Sequence, residues 1–131
     1  MSKMPKVNER QPAMARDVKK FAKELEKRTK RFAIDILLLS LSLSNTPEGR
    51  AVRTQITESG TSVGANYREA NRAKRRADFK NKIAISETEA SETQYWLEVI
   101  VGVGWKSWDN IQSEYDECNE LLALATSIGT K

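Results

Sequence analysis

The chain has 131 residues, of which 31% are charged and 39% hydrophobic, the composition of an ordinary globular domain. One cysteine excludes an intrachain disulfide framework and fits a reducing cytoplasm. The absence of histidine removes serine–histidine and cysteine–histidine catalysis, histidine-dependent di-iron sites and nearly every zinc site. The longest nearly continuous apolar run, Phe32–Leu43, contains Asp35 and falls well short of the roughly 20 residues of a membrane span. It also lies too far from the start, behind too charged a stretch, to be a signal peptide.

Residues 1–12 hold Pro5 and Pro12 and no periodic pattern, which predicts a mobile N-terminal tail before a single domain over 13–131. From Ala13 the pattern is helical. Met14, Val18, Phe21, Leu25, Phe32, Ile36, Leu39 and Leu43 recur at spacings of three, four and seven, one helical face. Within this helix Phe32–Leu43 is apolar nearly all round. One bundle core covers one stripe, so Leu38 and Leu41 are expected to meet a neighbouring subunit. The alternative is a helix placed centrally among its three partners.

Thr46 is an N-cap for a second helix over about 47–72, with Pro47 at its first position and Glu48 complementing its positive end. Its face is Val52, Ile56, Gly60, Val63, Tyr67 and Ala70. A third helix runs from about Arg76 to Val103 with the face Phe79, Ile83, Ser86, Ala90, Thr93, Leu97 and Ile100, closed by Gly102 and Gly104. Trp105–Asn110 reads as a loop in which Ser107 or Asp109 caps a fourth helix bearing Ile111, Tyr115, Cys118, Leu122 and Ala125. The pattern predicts an all-α, antiparallel up-down-up-down four-helix bundle. Antiparallel pairing about the 73–75 turn places Gly60 opposite Ala90 and Gly64 opposite Ser86, a close approach of helices two and three.

The charge is graded: net +7 over residues 1–31, +4 over 32–82 and −7 over 83–131. Such a gradient suits a polyanion partner or head-to-tail contact between copies. The densest cluster, Arg68, Arg72, Lys74, Arg75, Arg76, Lys80 and Lys82, falls at the corner between helices two and three. Arginine predominates, which suits phosphate contact; the alternative is a solvated corner. Lys20, Lys23, Lys27, Arg28, Lys30 and Arg31 are broken up by Glu24 and Glu26 and read as a solvated face.

Glu87, Glu89, Glu92 and Glu98 have no histidine and no second Glu-x-x-Glu helix, so they read as salt-bridged or solvated, and no metal is expected. Glu69 is expected to be buried against an arginine or a backbone group. Cys118 reads as a small core residue. Trp105 and Trp108 are expected to plug one end of the bundle, and Trp96 to pack in the core or at a subunit interface. The run from Gly60 to Gly64 lies in a helical pattern and lacks the lysine of a phosphate loop.

Gln55, the run Ser59-Gly-Thr-Ser-Val-Gly-Ala-Asn-Tyr-Arg-Glu-Ala70, Arg72, Ala77-Asp-Phe79, Glu89-Ala90 and Glu92-Thr-Gln-Tyr-Trp-Leu-Glu98 are the most specific residues of the chain. They resemble the bacterial four helix bundle protein family. Its members include proteins encoded by intervening sequences of large-subunit ribosomal RNA genes, the S23 type, over about residues 22–127. Many relatives have glycine where this chain has Ala70. The resemblance implies a bundle that assembles as a homopentamer, with no enzymatic activity and no cofactor. A remoter likeness is to the accessory variability protein of diversity-generating retroelements, a basic pentamer that binds nucleic acid and a reverse transcriptase. The expectation is therefore a non-enzymatic, cytoplasmic oligomer that binds nucleic acid, structured RNA foremost, through the basic corner. The alternative is a protein-interaction scaffold for a partner such as a reverse transcriptase.

Overall fold

The computed structural model describes the backbone from Arg10 and the side chains from Ala15 to Lys131. Four helices follow one another: α1 (Arg10–Leu41), α2 (Pro47–Arg72), α3 (Arg76–Gly102) and α4 (Trp108–Gly129). No strand occurs among the described residues. None of the described helices is long and apolar enough to cross a membrane. Of the expected N-terminal tail, residues 1–9 lie outside the described residues, and Arg10 already belongs to α1.

The helix ends follow local chemistry. Thr46 Oγ1 accepts from the Gly49 amide at 3.0 Å, with Pro47 in the first turn, where its missing N–H costs nothing. Ser107, rather than Asp109, caps α4 by accepting from the Asn110 amide, and Trp108 is helical instead of lying in a loop. Past α3, Gly104 takes a φ of 81°, a conformation open to glycine at little cost.

The helices pack in chain order, α1 on α2, α2 on α3 and α3 on α4, and the seam between α1 and α4 is the thinnest of the four between neighbouring helices. The expected faces of α2 and α3 form the core, with Phe79 at its margin. On α4 the buried stripe runs through Ile111, Cys118, Leu121 and Ala125; Leu122 and Tyr115 lie partly exposed beside it. On α1, Leu25, Phe32, Ile36 and Leu39 are buried, as is Leu43 just past its end, but Val18 and Phe21 are exposed. Their helical register is the expected one; the other three helices do not cover them. The Met14 side chain lies outside the described residues.

The two glycines of α2 perform a different task from the expected one. A Cβ on Gly60 would stand 2.6 Å from Ile36 Cγ2, and one on Gly64 would stand 2.8 Å from Thr29 Oγ1. Both contacts are with α1, so Gly60 does not pair with Ala90, nor Gly64 with Ser86. Face alternation explains this. Gly60 and Gly64 lie one position along from Ser59 and Val63, and 100° of helical rotation turns them from α3 to α1. Ser86 and Ala90 do lie in the core: Ser86 Oγ donates to the Val63 carbonyl at 2.8 Å, and the Cys118 thiol donates to the Ala90 carbonyl at 3.2 Å. Thr93 Oγ1 donates to Ser59 Oγ at 2.9 Å. These buried hydroxyls are satisfied, as burial without partners would be costly.

Candidate nucleic-acid interface

The basic corner forms because α2 ends at Arg72 and α3 starts at Arg76, leaving a three-residue connection. Ala73 at the end of α2 and Arg75 before α3 are both extended, so the chain reverses abruptly. Two helix ends and their connection thereby bring the cations together. Arg68, Arg72, Lys74, Arg75, Arg76 and Lys80 are exposed, whereas Lys82 is half-buried.

Their partners differ. Lys82 Nζ lies 2.8 Å from Glu69 Oε1, Arg75 Nε 3.2 Å from Asp78 Oδ2, and Arg68 Nε 3.6 Å from Glu26 Oε1. Arg76 donates to the backbone carbonyl of Lys131. Arg72, Lys74 and Lys80 have no carboxylate within salt-bridge distance among the described residues. Glu69 is exposed and faces Lys82, contrary to the expectation of burial against arginine. It lies on the outer flank of α2, where a lysine six residues into α3 reaches it.

Arg28 also departs from expectation. Its Nε donates to Glu117 Oε2 at 2.6 Å and its Nη2 to Glu117 Oε1 at 2.8 Å and Glu120 Oε1 at 2.6 Å. The hydrogen bonds to Glu117 and then Glu120 raise its already high pKa further. Arg28 thus belongs to the α1–α4 seam and not to a solvated face. The charge gradient held the signal, a basic α1 and an acidic α4, but register alone could not select the pair.

Three acidic side chains of α3 accept hydrogen bonds at the surface. Glu87 Oε2 accepts from Thr126 Oγ1 at 2.6 Å, Glu92 Oε2 from Trp96 Nε1 at 3.3 Å, and Glu98 Oε2 from Tyr115 Oη at 2.7 Å. Burial, followed by repulsion from Glu92 and Glu58, raises the Glu89 pKa. No group of three or more potential metal ligands occurs among the described residues. Trp105 packs on the core margin, and Trp108 stands edge-on to Tyr115, still partly exposed.

Away from the corner, Ile34, Leu37, Leu38 and Leu41 form an exposed apolar face on α1, with Leu38 60% and Leu41 70% exposed. Trp96 is half-buried against the core, its ring at 75° to the exposed Tyr95.

Residues 22–127 match the family described as 23S rRNA-intervening sequence protein. Among solved structures, the chain is similar to a protein of unknown function from the S23 ribosomal protein family of Bacteroides thetaiotaomicron VPI-5482. The two share 37% identity, with a TM-score of 0.76, over 81% of this chain and 98% of that one. No curated protein matches the sequence.

Proposed function

The chain belongs to the 23S rRNA-intervening sequence protein family, and from that premise we propose that it is a non-enzymatic, cytoplasmic, oligomeric RNA-binding protein. The observation that carries this reading is the trio Arg72, Lys74 and Lys80, exposed at one corner and without a carboxylate partner among the described residues. Cations held together without neutralisation repel one another, and a phosphate backbone relieves that repulsion. Arg75 and Arg76 extend the patch, whereas Lys82 is already paired with Glu69.

Assembly strengthens the reading. The apolar face of Ile34, Leu37, Leu38 and Leu41 suits a second copy of the chain, and a homopentamer is the ring the resemblance implies. Repetition of one corner around a ring converts weak phosphate contacts into avidity.

The test is a salt titration of RNA binding for the wild type and an Arg72→Glu/Lys74→Glu/Lys80→Glu variant. Log affinity falls with log salt by about 0.7–0.9 per phosphate contact. The triple variant is expected to bind more weakly and with a shallower slope, at unchanged helicity. Equal slopes would remove the corner as the site. No binding by the wild type at about 50 mM salt, where such contacts are strong, would favour the protein-scaffold alternative.

A further inference from the structure

The close crossing of α1 and α2 leaves a trough beside it. Its volume is about 370 Å³, at the small end of ligand-binding clefts. Ala33, Thr61, Gly64 and Ala65 are small residues of its lining, and the exposed Lys30, Arg68 and Arg72 line it as well. Two of those cations, Arg68 and Arg72, also belong to the basic corner, so trough and corner are one continuous surface. Lys30, from a different helix, faces the same trough and has no carboxylate partner among the described residues.

We propose that this trough seats the sugar–phosphate backbone of a single RNA strand and leads it to the basic corner. The inference rests on the nucleic-acid reading above and adds the strandedness and path of the ligand. A concave, cation-lined groove tracks one backbone, whereas a duplex is too wide to enter a seam between two adjacent helices. The trough wall carries no aromatic ring on which a base could stack, so recognition is of the backbone and tolerant of sequence.

Two carboxylates also line the trough, and they give the proposal an opposite-sign test. Glu69 is engaged by Lys82. Glu26 accepts from Asn71 Nδ2 at 2.8 Å and stands 3.6 Å from Arg68. Glu26 therefore competes with phosphate for Arg68, and its neutralisation favours the ligand.

The probe is a short fluorescent oligouridylate, titrated at several salt concentrations, with circular dichroism to verify the fold. Lys30→Gln removes one phosphate contact. At a slope of about 0.7 per contact, it is expected to weaken binding about fivefold at 0.1 M salt and to flatten the slope by that amount. Arg31→Gln, an exposed neighbour outside the trough, serves as the charge control and is expected to change little. Glu26→Gln is expected to tighten binding. Ala65→Leu, at an exposed helical position, fills the trough without altering charge and is expected to weaken binding.

Wild-type binding by both Lys30→Gln and Ala65→Leu, while Lys74→Glu/Lys80→Glu binds weakly, would overturn the trough and leave the corner standing. Equal losses in Lys30→Gln and Arg31→Gln would also overturn it, because charge alone would then account for the effect. Loss in the trough variants with none in Lys74→Glu/Lys80→Glu would retain the trough and remove the corner.

Discussion

Gly64 of α2 and Thr29 of α1 lie so close that a Cβ at residue 64 would stand 2.8 Å from the Thr29 hydroxyl and 3.2 Å from its carbonyl carbon. Thr29 is 3% exposed, and its hydroxyl donates to the Glu26 carbonyl at 3.0 Å, so it has little room to yield. One turn earlier, Gly60 meets the fully buried Ile36 in the same way. A mid-helix glycine costs about 1 kcal/mol relative to alanine. Here its absent side chain permits the α1–α2 contact.

Gly64→Ala and Gly60→Ala should therefore destabilise the protein despite their better helix propensity, by about 1–3 kcal/mol through overpacking. Gly102→Ala is the contrast. Nothing lies within 4 Å of a Cβ there, so it should be neutral or stabilise by up to about 1 kcal/mol. Urea denaturation of the three variants separates these outcomes. Equal stabilisation at 64 and 102 would show that the helices have room to part.

The Arg28 fork on Glu117 and Glu120 joins α1 and α4 across the thinnest of the seams between neighbouring helices. The Arg28 side chain is 35% exposed and that of Glu117 29%, so solvent screens the pair partly. Arg28→Ala should lower stability by about 1 kcal/mol, with some of the loss from its packed stem. In a double-mutant cycle with Glu117→Gln, a measurable coupling energy is expected. Strict additivity would show that the fork contributes nothing to the seam.

Burial pushes the Cys118 thiol from its ordinary 9.0 up to about 12, with Glu117 and Glu98 adding to the shift. The native state then keeps its proton where the unfolded chain has lost it. The associated stability is present below about pH 9 and is lost as the pH rises toward about 12. The stability of Cys118→Ala should decline less steeply than wild type between about pH 9 and 10, a difference approaching about 1 kcal/mol per pH unit. Tyr67, raised by its own burial, titrates in both proteins. A thiol reagent should label native Cys118 at the rate of unfolding; rapid labelling of the folded protein would refute the buried assignment.

Leu38→Glu and Leu41→Glu should each weaken self-association without loss of helicity, because both side chains lie outside the core. Multi-angle light scattering at micromolar concentration is the measurement. A stable wild-type monomer would refute an apolar face made for a second copy. Loss of helicity in either variant would instead mean that the leucine supports the fold.

The pattern of residues was sufficient for the four helices and most of their buried faces, because both arise locally. Thr46-Pro47 starts α2 and Gly104 ends the turn after α3 through the backbone of their own segments. Ile83, Ser86, Ala90, Thr93, Leu97 and Ile100 share one side of α3 by the geometry of 3.6 residues per turn. The basic corner was legible for the same reason, since a three-residue connection keeps its cations together whatever the rest of the chain does.

Which helix each face would meet was a matter for the tertiary structure. Gly60 and Ser59 are adjacent in sequence, yet one meets Ile36 of α1 and the other Thr93 of α3. Periodicity marks a face as buried without naming its partner, because hydrophobic burial is non-directional. Charge behaves likewise: Arg28 and Lys30 are two positions apart, but helical rotation sends the first to Glu117 and the second to the trough. Periodicity and capping, both local, specify the helices and the charge that each carries. Packing alone decided which cations were neutralised and which stayed available, because an ion pair depends on distances of a few ångströms between segments far apart in the chain.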